Sequence, residues 1–258
     1  MSQTAQVTIT QYSRGSFSVI QDHVIRETMA SLLVNDALAT SFICSWLHIE
    51  YLAIGYLFCE GWIGSLDEIL HLEVIDGEAE IRAYIPKNRF QNKNRSTYLT
   101  SGCGYRMQSF HFSAPVPRHQ YPFMVSPDVI VDHMKRFQQA SSLFQSTGGV
   151  HSVALLLPGQ AGTLEEDIGR HNALDKAIGF GLKHQVPFEK SMIATSGRLS
   201  SDMVQKVASV PIPVIISKSA PTDAAIELAN QIGITLIGFA RGERFSIYTH
   251  PERVQSLS

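Results

Sequence analysis

An alternation of apolar strands with helices, from residue 125 to the C-terminus, constrains the fold more than any other feature of the sequence. Three strand-like runs, HSVALLL, SMIAT and PVIIS, cover His151 to Leu157, Ser191 to Thr195 and Pro213 to Ser217, and a helical pattern follows each of them. Because a tight turn cannot join two parallel strands, this order predicts right-handed crossovers. The second half of the chain is therefore expected to be α/β with a mainly parallel sheet.

Four helical patterns accompany these strands. The third has serine and aspartate available as caps, and the fourth opens with a proline, which suits a first helical turn. The helices are expected from Pro127 to Phe144, from near Arg170, from about Ser200 and from Pro221, and the last strands, ITLIGF and FSIYT, are joined by ARGER.

The first half of the chain has a different pattern, in which short apolar strands dominate. The run HLEVIDGEAEIRAYI predicts a hairpin that turns at Asp76 and Gly77, and Leu47 to Phe58 predicts one buried helix. We therefore divide the chain into a smaller β-rich N-terminal domain, residues 1–124, and an α/β domain, residues 125–258.

The three cysteines differ in their surroundings. Cys103 lies within Pro86 to Ser109, a polar, basic, asparagine-rich segment typical of an exposed mobile loop, whereas Cys44 and Cys59 lie in apolar runs and are expected in the core. No two cysteines form a CxxC pair, so the sequence predicts no metal site. A glycine on each side leaves Cys103 open to close approach, although an incidental loop cysteine is the alternative.

Charge and hydropathy exclude several classes of protein. The chain has 21 Lys+Arg, 23 Asp+Glu and a formal charge of -2, which argues against a general binder of nucleic acid or membrane surfaces. The longest apolar stretch, Tyr51 to Cys59, is too short to span a bilayer. The start of the sequence has no basic, apolar signal pattern, so we expect a cytoplasmic location.

Polar segments follow the strands of the second half. They are EEDIGRHN, TSGRLSSD, SKSAPTD and GFARGER, and in a parallel sheet they converge at one edge, near helix N-termini. They supply the cations Arg170, His171, Arg198, Lys218, Arg241 and Arg244 with the small residues Ser196, Gly197, Ser219 and Gly242. This composition predicts a phosphate or pyrophosphate site, since nothing bulky blocks the outward-pointing amides. The alternative is a set of ordinary solvated loops, and no segment matches a GxGxxG or P-loop motif.

Some residues near this edge leave two interpretations open. His171 begins a helix and His151 begins a strand, so either could be a ligand or a proton carrier, although hydrogen-bonded structural histidines are commoner. The acidic run Glu165 to Asp167 could act on a substrate or could orient Arg170 and favour a helix N-terminus. The structural role is favoured.

Long blocks of the sequence resemble the FdhD family. They include EEDIGRHNALDKAIG, TSGRLSSDMVQKVA, SKSAPTDAAIELA and GFARGERFSIYTHPERV in the second half, and LLVNDALATSF, EYLAIGYLFCEGWI, TSGCG and FQSTGGVHSVAL before them. The resemblance covers essentially the whole chain. It implies a cytidine-deaminase-like, three-layer C-terminal domain.

The resemblance also implies a function. Proteins of this family take sulfur from a cysteine desulfurase onto a loop cysteine, which maps to Cys103, and deliver it to the molybdenum bis-guanine-dinucleotide cofactor of apo-formate dehydrogenase. A homodimer is expected, and GDP should mimic the cofactor. The cofactor-binding residues implied are Phe239, Ala240, Arg241, Gly242, Glu243 and Arg244, to which we add Arg170, His171, Ser196, Gly197, Arg198 and Lys218 from the edge.

One departure from the family pattern leaves a rival function open. Arg106 stands where the family usually has a second cysteine, three residues after Cys103. A single cysteine is chemically sufficient for a persulfide relay, but a chaperone that binds cofactor or apo-enzyme without moving sulfur is the alternative. A zinc-dependent deaminase is excluded, because the sequence contains no P-C-x-x-C to complete a zinc site with an H-x-E triplet.

Overall fold

The computed structural model describes residues 2–91, 97–99, 106–108, 122–158 and 160–255, with the backbone alone at 90–91, 97–99, 106–108 and 160–161. Cys103 lies outside these residues, as does much of the segment from Pro86 to Ser109. The reactivity of Cys103 and the mobility of its loop therefore stay predictions, and so does the division into two domains.

The elements of the described residues follow the predicted order. The strands are β1 Thr4–Ser13, β2 Ser16–Ile25, β3 Thr28–Val34, β4 Ala37–Cys44, β5 His71–Ile75, β6 Glu80–Tyr84, β7 Thr97–Leu99, β8 Arg106–Gln108, β9 His151–Leu157, β10 Gln160–Asp167, β11 Met192–Thr195, β12 Val214–Ser217, β13 Thr235–Arg241 and β14 Arg244–Ile247. The helices are α1 Ile49–Cys59, α2 Lys87–Gln91, α3 Pro127–Ala140, α4 Ser142–Thr147, α5 Arg170–Lys183, α6 Ser201–Val207 and α7 Asp223–Ile232. Short 3-10 turns lie at Leu66–Glu68, Asp76–Glu78, Phe188–Lys190 and Pro251–Arg253.

The N-terminal half is rich in β-structure, as predicted. Strands β1 and β2 form a long hairpin, and β7 pairs with β8. A further sheet has the order β4-β3-β6-β5, in which β3 and β6 are parallel and the other neighbours are antiparallel. The predicted hairpin is β5 and β6, and its turn is a 3-10 turn completed by Ala79 at φ 50°.

The predicted buried helix is α1, and it joins the two halves of the molecule. One side packs on the sheet of β3, β4 and β6 through residues such as Leu52 and Leu57. The other side touches α5 so closely that a Cβ on Gly55 would lie 1.9 Å from the Asp175 carbonyl oxygen, and one on Gly179 would lie 2.0 Å from that of Tyr51. Glycine is therefore required at both positions for the two backbones to meet.

The second sheet corrects the prediction of mainly parallel pairing. Among the described residues its order is β10-β9-β11-β12-β13-β14, and only the pairs β11–β12 and β12–β13 are parallel. Strand β9 turns back directly into β10, a strand that the sequence pattern does not predict. Gly162 lies where the pairing of β10 with β9 is irregular, and glycine is required there because a Cβ would lie 2.0 Å from the Leu155 carbonyl oxygen.

Helices cover both faces of this sheet, so the predicted three layers are confirmed. Alternate sheet residues such as Leu155 pack with α5, α6 and α7 on one face. Their neighbours, such as Ala154, pack on the other face with Ile130 and Phe137 of α3. Two apolar faces are buried, which explains why the central strands are apolar throughout.

The sheet brings the four polar segments to one edge, partly for a different reason than predicted. Strands β11, β12 and β13 are parallel and end at the same edge. Strand β9 is antiparallel to both β11 and β10, so β10 also ends at this edge and β9 begins there. We call it the carboxyl edge.

Candidate anion-binding site at the carboxyl edge

The first two residues of α5 are held by one carboxylate of α6. His171 Nε2 lies 2.9 Å from Asp202 Oδ2, and Arg170 Nη2 lies 3.7 Å from the same oxygen. Arg170 and His171 are 6% and 2% exposed. Asp202 therefore fixes the start of α5 against α6 and draws the Arg170 guanidinium toward the edge.

Burial decides the charge of His171. It lowers the pKa of the imidazole, and the charges of Lys206 and Arg170 lower it further, so that the opposing effect of Asp202 is overcome. Burial also raises the pKa of Asp202, but hydrogen bonds from His171 and Ser200 hold it well below its usual range. At neutral pH His171 is therefore a neutral donor to an ionised Asp202, and not one of the cations that the sequence suggested.

A glycine lets three elements converge beside Arg170. A Cβ on Gly197 would lie 3.3 Å from Arg170 Cβ and 3.6 Å from His151 Nδ1. The Ser196 hydroxyl accepts from the Ser152 amide at 3.0 Å and lies 3.4 Å from His151 Nδ1. The turn after β11 is thus packed directly against the start of α5 and the start of β9.

His151 lies among the cations of this cluster. Its pKa is lowered by burial, and then by the charges of Arg170 and Lys218. A neutral imidazole can accept or donate one hydrogen bond, which suits a ligand contact and does not oppose the adjacent positive charges. The sequence left His151 open between a structural and a functional role, and the structure places it with the predicted site residues.

Lys218 and Arg241 are joined through the backbone. Arg241 Nε donates to the Lys218 carbonyl oxygen at 2.8 Å, and the Phe239 amide donates to the Ser219 carbonyl oxygen at 3.0 Å. These bonds fasten the end of β13 to the residues that follow β12. The Lys218 ammonium lies 4.8 Å from the centroid of the Phe144 ring.

The segment FARGER covers the end of β13, the turn at Gly242 and Glu243, and the first residue of β14. Gly242 has φ 60°, and Phe239 has φ 51° and is 42% exposed. The side chain of Ala240 is 1% exposed and packs in the core with α3, so a ligand would reach only its backbone. Arg241, Gly242, Glu243 and Arg244 are exposed.

The predicted residues thus form one buried group and an exposed rim. Gly197 lies against Arg170 and His151, Ser196 lies against His151, and Arg170 and His171 share the Asp202 carboxylate. Lys218 lies close enough to affect His151. Arg198, Glu243 and Arg244 are exposed, and no contact within the described part of the chain draws them to this group.

The acidic run on β10 is structural, as the sequence favoured, but its partners are residues other than Arg170. Glu165 Oε2 lies 2.7 Å from His48 Nδ1. Asp167 Oδ2 lies 2.6 Å from Lys176 Nζ, with both side chains fully buried, and accepts from the Ser45 amide at 3.1 Å. Each carboxylate therefore ties β10 to another part of the fold, and none is left for a substrate.

The sequence did not reveal the long-range contacts of Asp202 and Glu166. Asp202 reads as a helix cap, and nothing in its spacing shows that it binds the start of α5. Glu166 reads as part of a polar loop, yet its two carboxylate oxygens accept from the amides of Leu143 and Phe144, each at 3.0 Å. These partners are 22 and 23 residues away in sequence, beyond any local pattern.

The other two cysteines are core residues, as predicted. Cys44 and Cys59 are 0% and 6% exposed. Burial, followed by the charge of Asp167, raises the pKa of Cys44 to about 12, and burial also raises the pKa of Cys59. Both thiols are therefore protonated at neutral pH and are poor nucleophiles.

Within the described residues, no three side chains of His, Cys, Asp or Glu come together as metal ligands. Over the same residues, no helix is both long enough and apolar enough to cross a bilayer.

Comparisons with known proteins agree with the resemblance seen in the sequence. A sequence model of the FdhD/NarQ family matches residues 25–255. The chain is 36% identical over 252 residues to the sulfur carrier protein FdhD of Bacillus pumilus, covering 95% of each chain, and 35% identical over 257 residues to that of Bacillus subtilis, covering 98% of each. The crystal structure of a candidate formate dehydrogenase accessory protein from Desulfotalea psychrophila superposes with a TM-score of 0.80 at 26% identity, over 98% of this chain and 100% of that one. The chain is a member of the FdhD/NarQ family.

Proposed function

We propose that this protein is a sulfur carrier in the maturation of formate dehydrogenase. Cys103 accepts a persulfide sulfur from a cysteine desulfurase and passes it to a molybdenum bis-guanine-dinucleotide cofactor bound at the carboxyl edge. The names of the relatives support a sulfur carrier. The main support for the location of the binding site is the convergence of Arg170, Lys218 and Arg241 at one edge of the sheet.

The start of α5 suits a phosphate group. The helix has 14 residues, and its N-cap is Gly169, which has no side chain to cover the first amides. The positive end of the helix dipole and the Arg170 guanidinium then face the same point. Gly197 and Ser196 lie beside this helix start and add little bulk, which favours the approach of a pyrophosphate to Arg170 and the first amides.

Sulfur loading requires a simple exchange. The Cys103 thiolate attacks the outer sulfur of the desulfurase persulfide, forms a new S–S bond and displaces the desulfurase cysteine, which leaves with the electron pair as a thiolate. The carried sulfur remains at the oxidation level of a persulfide. Its delivery as sulfide needs two electrons, and we propose that an external thiol supplies them.

The burial of the other two cysteines supports the proposal that the reducing thiol comes from outside the chain. The chain has three cysteines, and Cys44 and Cys59 are enclosed in the core with raised pKa values. Neither can attack a persulfide on Cys103 without unfolding its surroundings. Arg106 occupies the position of the second family cysteine, so no neighbouring thiol can resolve the persulfide.

Several finer features belong to the same proposal. We expect a cytoplasmic homodimer, domains at residues 1–124 and 125–258, and a cytidine-deaminase-like C-terminal domain. The mixed sheet with helices on both faces supports the last of these.

Mass spectrometry tests the carrier role. The protein is incubated with a desulfurase and cysteine, and a gain of one sulfur on the Cys103 peptide is expected. Cys103→Ala should abolish the gain and leave folding unchanged, whereas Cys59→Ala should reduce stability and keep the gain in the folded fraction. A protein that stays unmodified while a competent carrier is loaded in parallel would favour the chaperone.

A further inference from the structure

Phe144 is an exposed aromatic residue at the carboxyl edge that the proposed site does not yet include. Among the described residues from 122 onward, three large apolar side chains are exposed, namely Met124, Phe144 and Phe239. Phe144 is 39% exposed, and within the described chain its ring joins none of the three hydrophobic clusters. Core packing therefore does not explain an aromatic ring at this position.

The backbone of Phe144 is nevertheless firmly placed. Its amide and that of Leu143 each donate to a carboxylate oxygen of Glu166, a residue only 6% exposed. At the other end of the short helix α4, the Gly148 amide donates to the Phe144 carbonyl oxygen at 2.7 Å. A buried carboxylate that holds two adjacent amides fixes where the ring emerges.

The ring faces the cations of the proposed site. Lys218 Nζ lies 4.8 Å from its centroid, and the backbone of Lys218 is bonded in turn to Arg241. The charge of Lys218 also lowers the pKa of His151, after burial and Arg170. Phe144 is thus next to the cations proposed to bind phosphate, with its face directed at one of them.

We propose that Phe144 is the surface on which the guanine base of the bound nucleotide stacks. This inference rests on the proposed function, since it assigns the base to a site whose phosphate contacts were argued above. A partly exposed cation–π contact is weaker than a charge-assisted hydrogen bond to phosphate, so the nucleotide draws Lys218 off the ring. The freed face then takes the base, whose flat π-surface stacks well on an aromatic ring.

Calorimetry with two ligands separates the base from the phosphates. Binding of GDP and of inorganic pyrophosphate is measured for the wild type, Phe144→Leu and Phe144→Tyr. We expect Phe144→Leu to weaken GDP binding about tenfold, from the usual strength of base–aromatic stacking, and to leave pyrophosphate affinity unchanged. Phe144→Tyr keeps a ring and should retain GDP affinity.

A matched control is Phe17→Leu, because Phe17 is 75% exposed on the β1–β2 hairpin, outside the proposed site. It should bind both ligands like the wild type, and circular dichroism should show that all variants are folded. Unchanged GDP affinity in Phe144→Leu, or an equal loss for GDP and pyrophosphate, would overturn the stacking role while the anion site stands. A wild type that binds neither ligand would refute the proposed site itself.

Discussion

Replacing Gly179 by alanine should test whether the contact between α1 and α5 organises the molecule. A Cβ at this position would lie 2.0 Å from the Tyr51 carbonyl oxygen and 2.9 Å from the Gly55 amide nitrogen. These are backbone atoms and cannot rotate away. An ordinary contact begins at 3.4 Å, so the helices must separate by 3.4 − 2.0 = 1.4 Å along this line.

The expected loss of stability follows from what that shift disturbs. Overpacking of a tight core typically costs about 1–3 kcal/mol. The shift also disturbs the geometry of two buried ion pairs made by α5, Asp167–Lys176 at 2.6 Å and Asp175–Lys206 at 2.7 Å. Alanine returns about 1 kcal/mol of helix propensity. We expect a net loss of about 2–4 kcal/mol, and at ~2–4 °C per kcal/mol for a chain of this size the melting temperature should fall by roughly 5–15 °C.

Thermal unfolding followed by circular dichroism measures this change. Gly77→Ala is the matched control, because a Cβ there would have nothing within 4 Å and the residue does not have a positive φ. Since α5 begins with Arg170, Gly179→Ala should also weaken pyrophosphate binding. If the Gly179→Ala and Gly77→Ala proteins had the same melting temperature, the helices would separate at no cost in stability, and the reasoning would be refuted.

Three further changes test other contacts. Arg241→Ala should weaken GDP binding by about 1.5–3 kcal/mol in calorimetry, as expected for a lost charge-assisted hydrogen bond, and an unchanged affinity would move the site elsewhere. Lys176→Met leaves the buried Asp167 carboxylate without its cation and should lower the free energy of unfolding by about 3–5 kcal/mol in urea denaturation. The loss should be smaller when Lys176→Met is combined with Asp167→Asn, and additive losses from the two changes would contradict the pairing. Asp202 has a lowered pKa when folded, so its ionised form stabilises the fold above its ordinary pKa of 3.8, and this contribution is lost as the pH falls below that value. Asp202→Asn should therefore be less stable than the wild type at pH 7 with a gap that narrows toward pH 3, and a constant gap would refute the linkage.

The local pattern of the sequence was enough to place most elements and the edge at which they meet. The strand from His151 to Leu157 was predicted with its exact bounds, and α1 and α3 were found within a few residues. These elements carry long apolar patterns that local spacing determines. The polar segments after the strands met at one edge because the strands that precede them point the same way.

Only the tertiary structure decided the strand directions and the partners of the buried charges. The edge strand β10 ends in Glu165, Glu166 and Asp167, which read as a loop because acidic residues rarely enter a core. They are buried here because residues distant in sequence, such as His48 and Ser45, hydrogen-bond them, and because Lys176 of the next helix neutralises Asp167. Such long-range partners produce no periodic signal in the sequence. The antiparallel direction of β9 is likewise a tertiary feature. The direction in which two strands pair depends on which strands are neighbours in space, and the spacing of apolar residues along the sequence does not encode this.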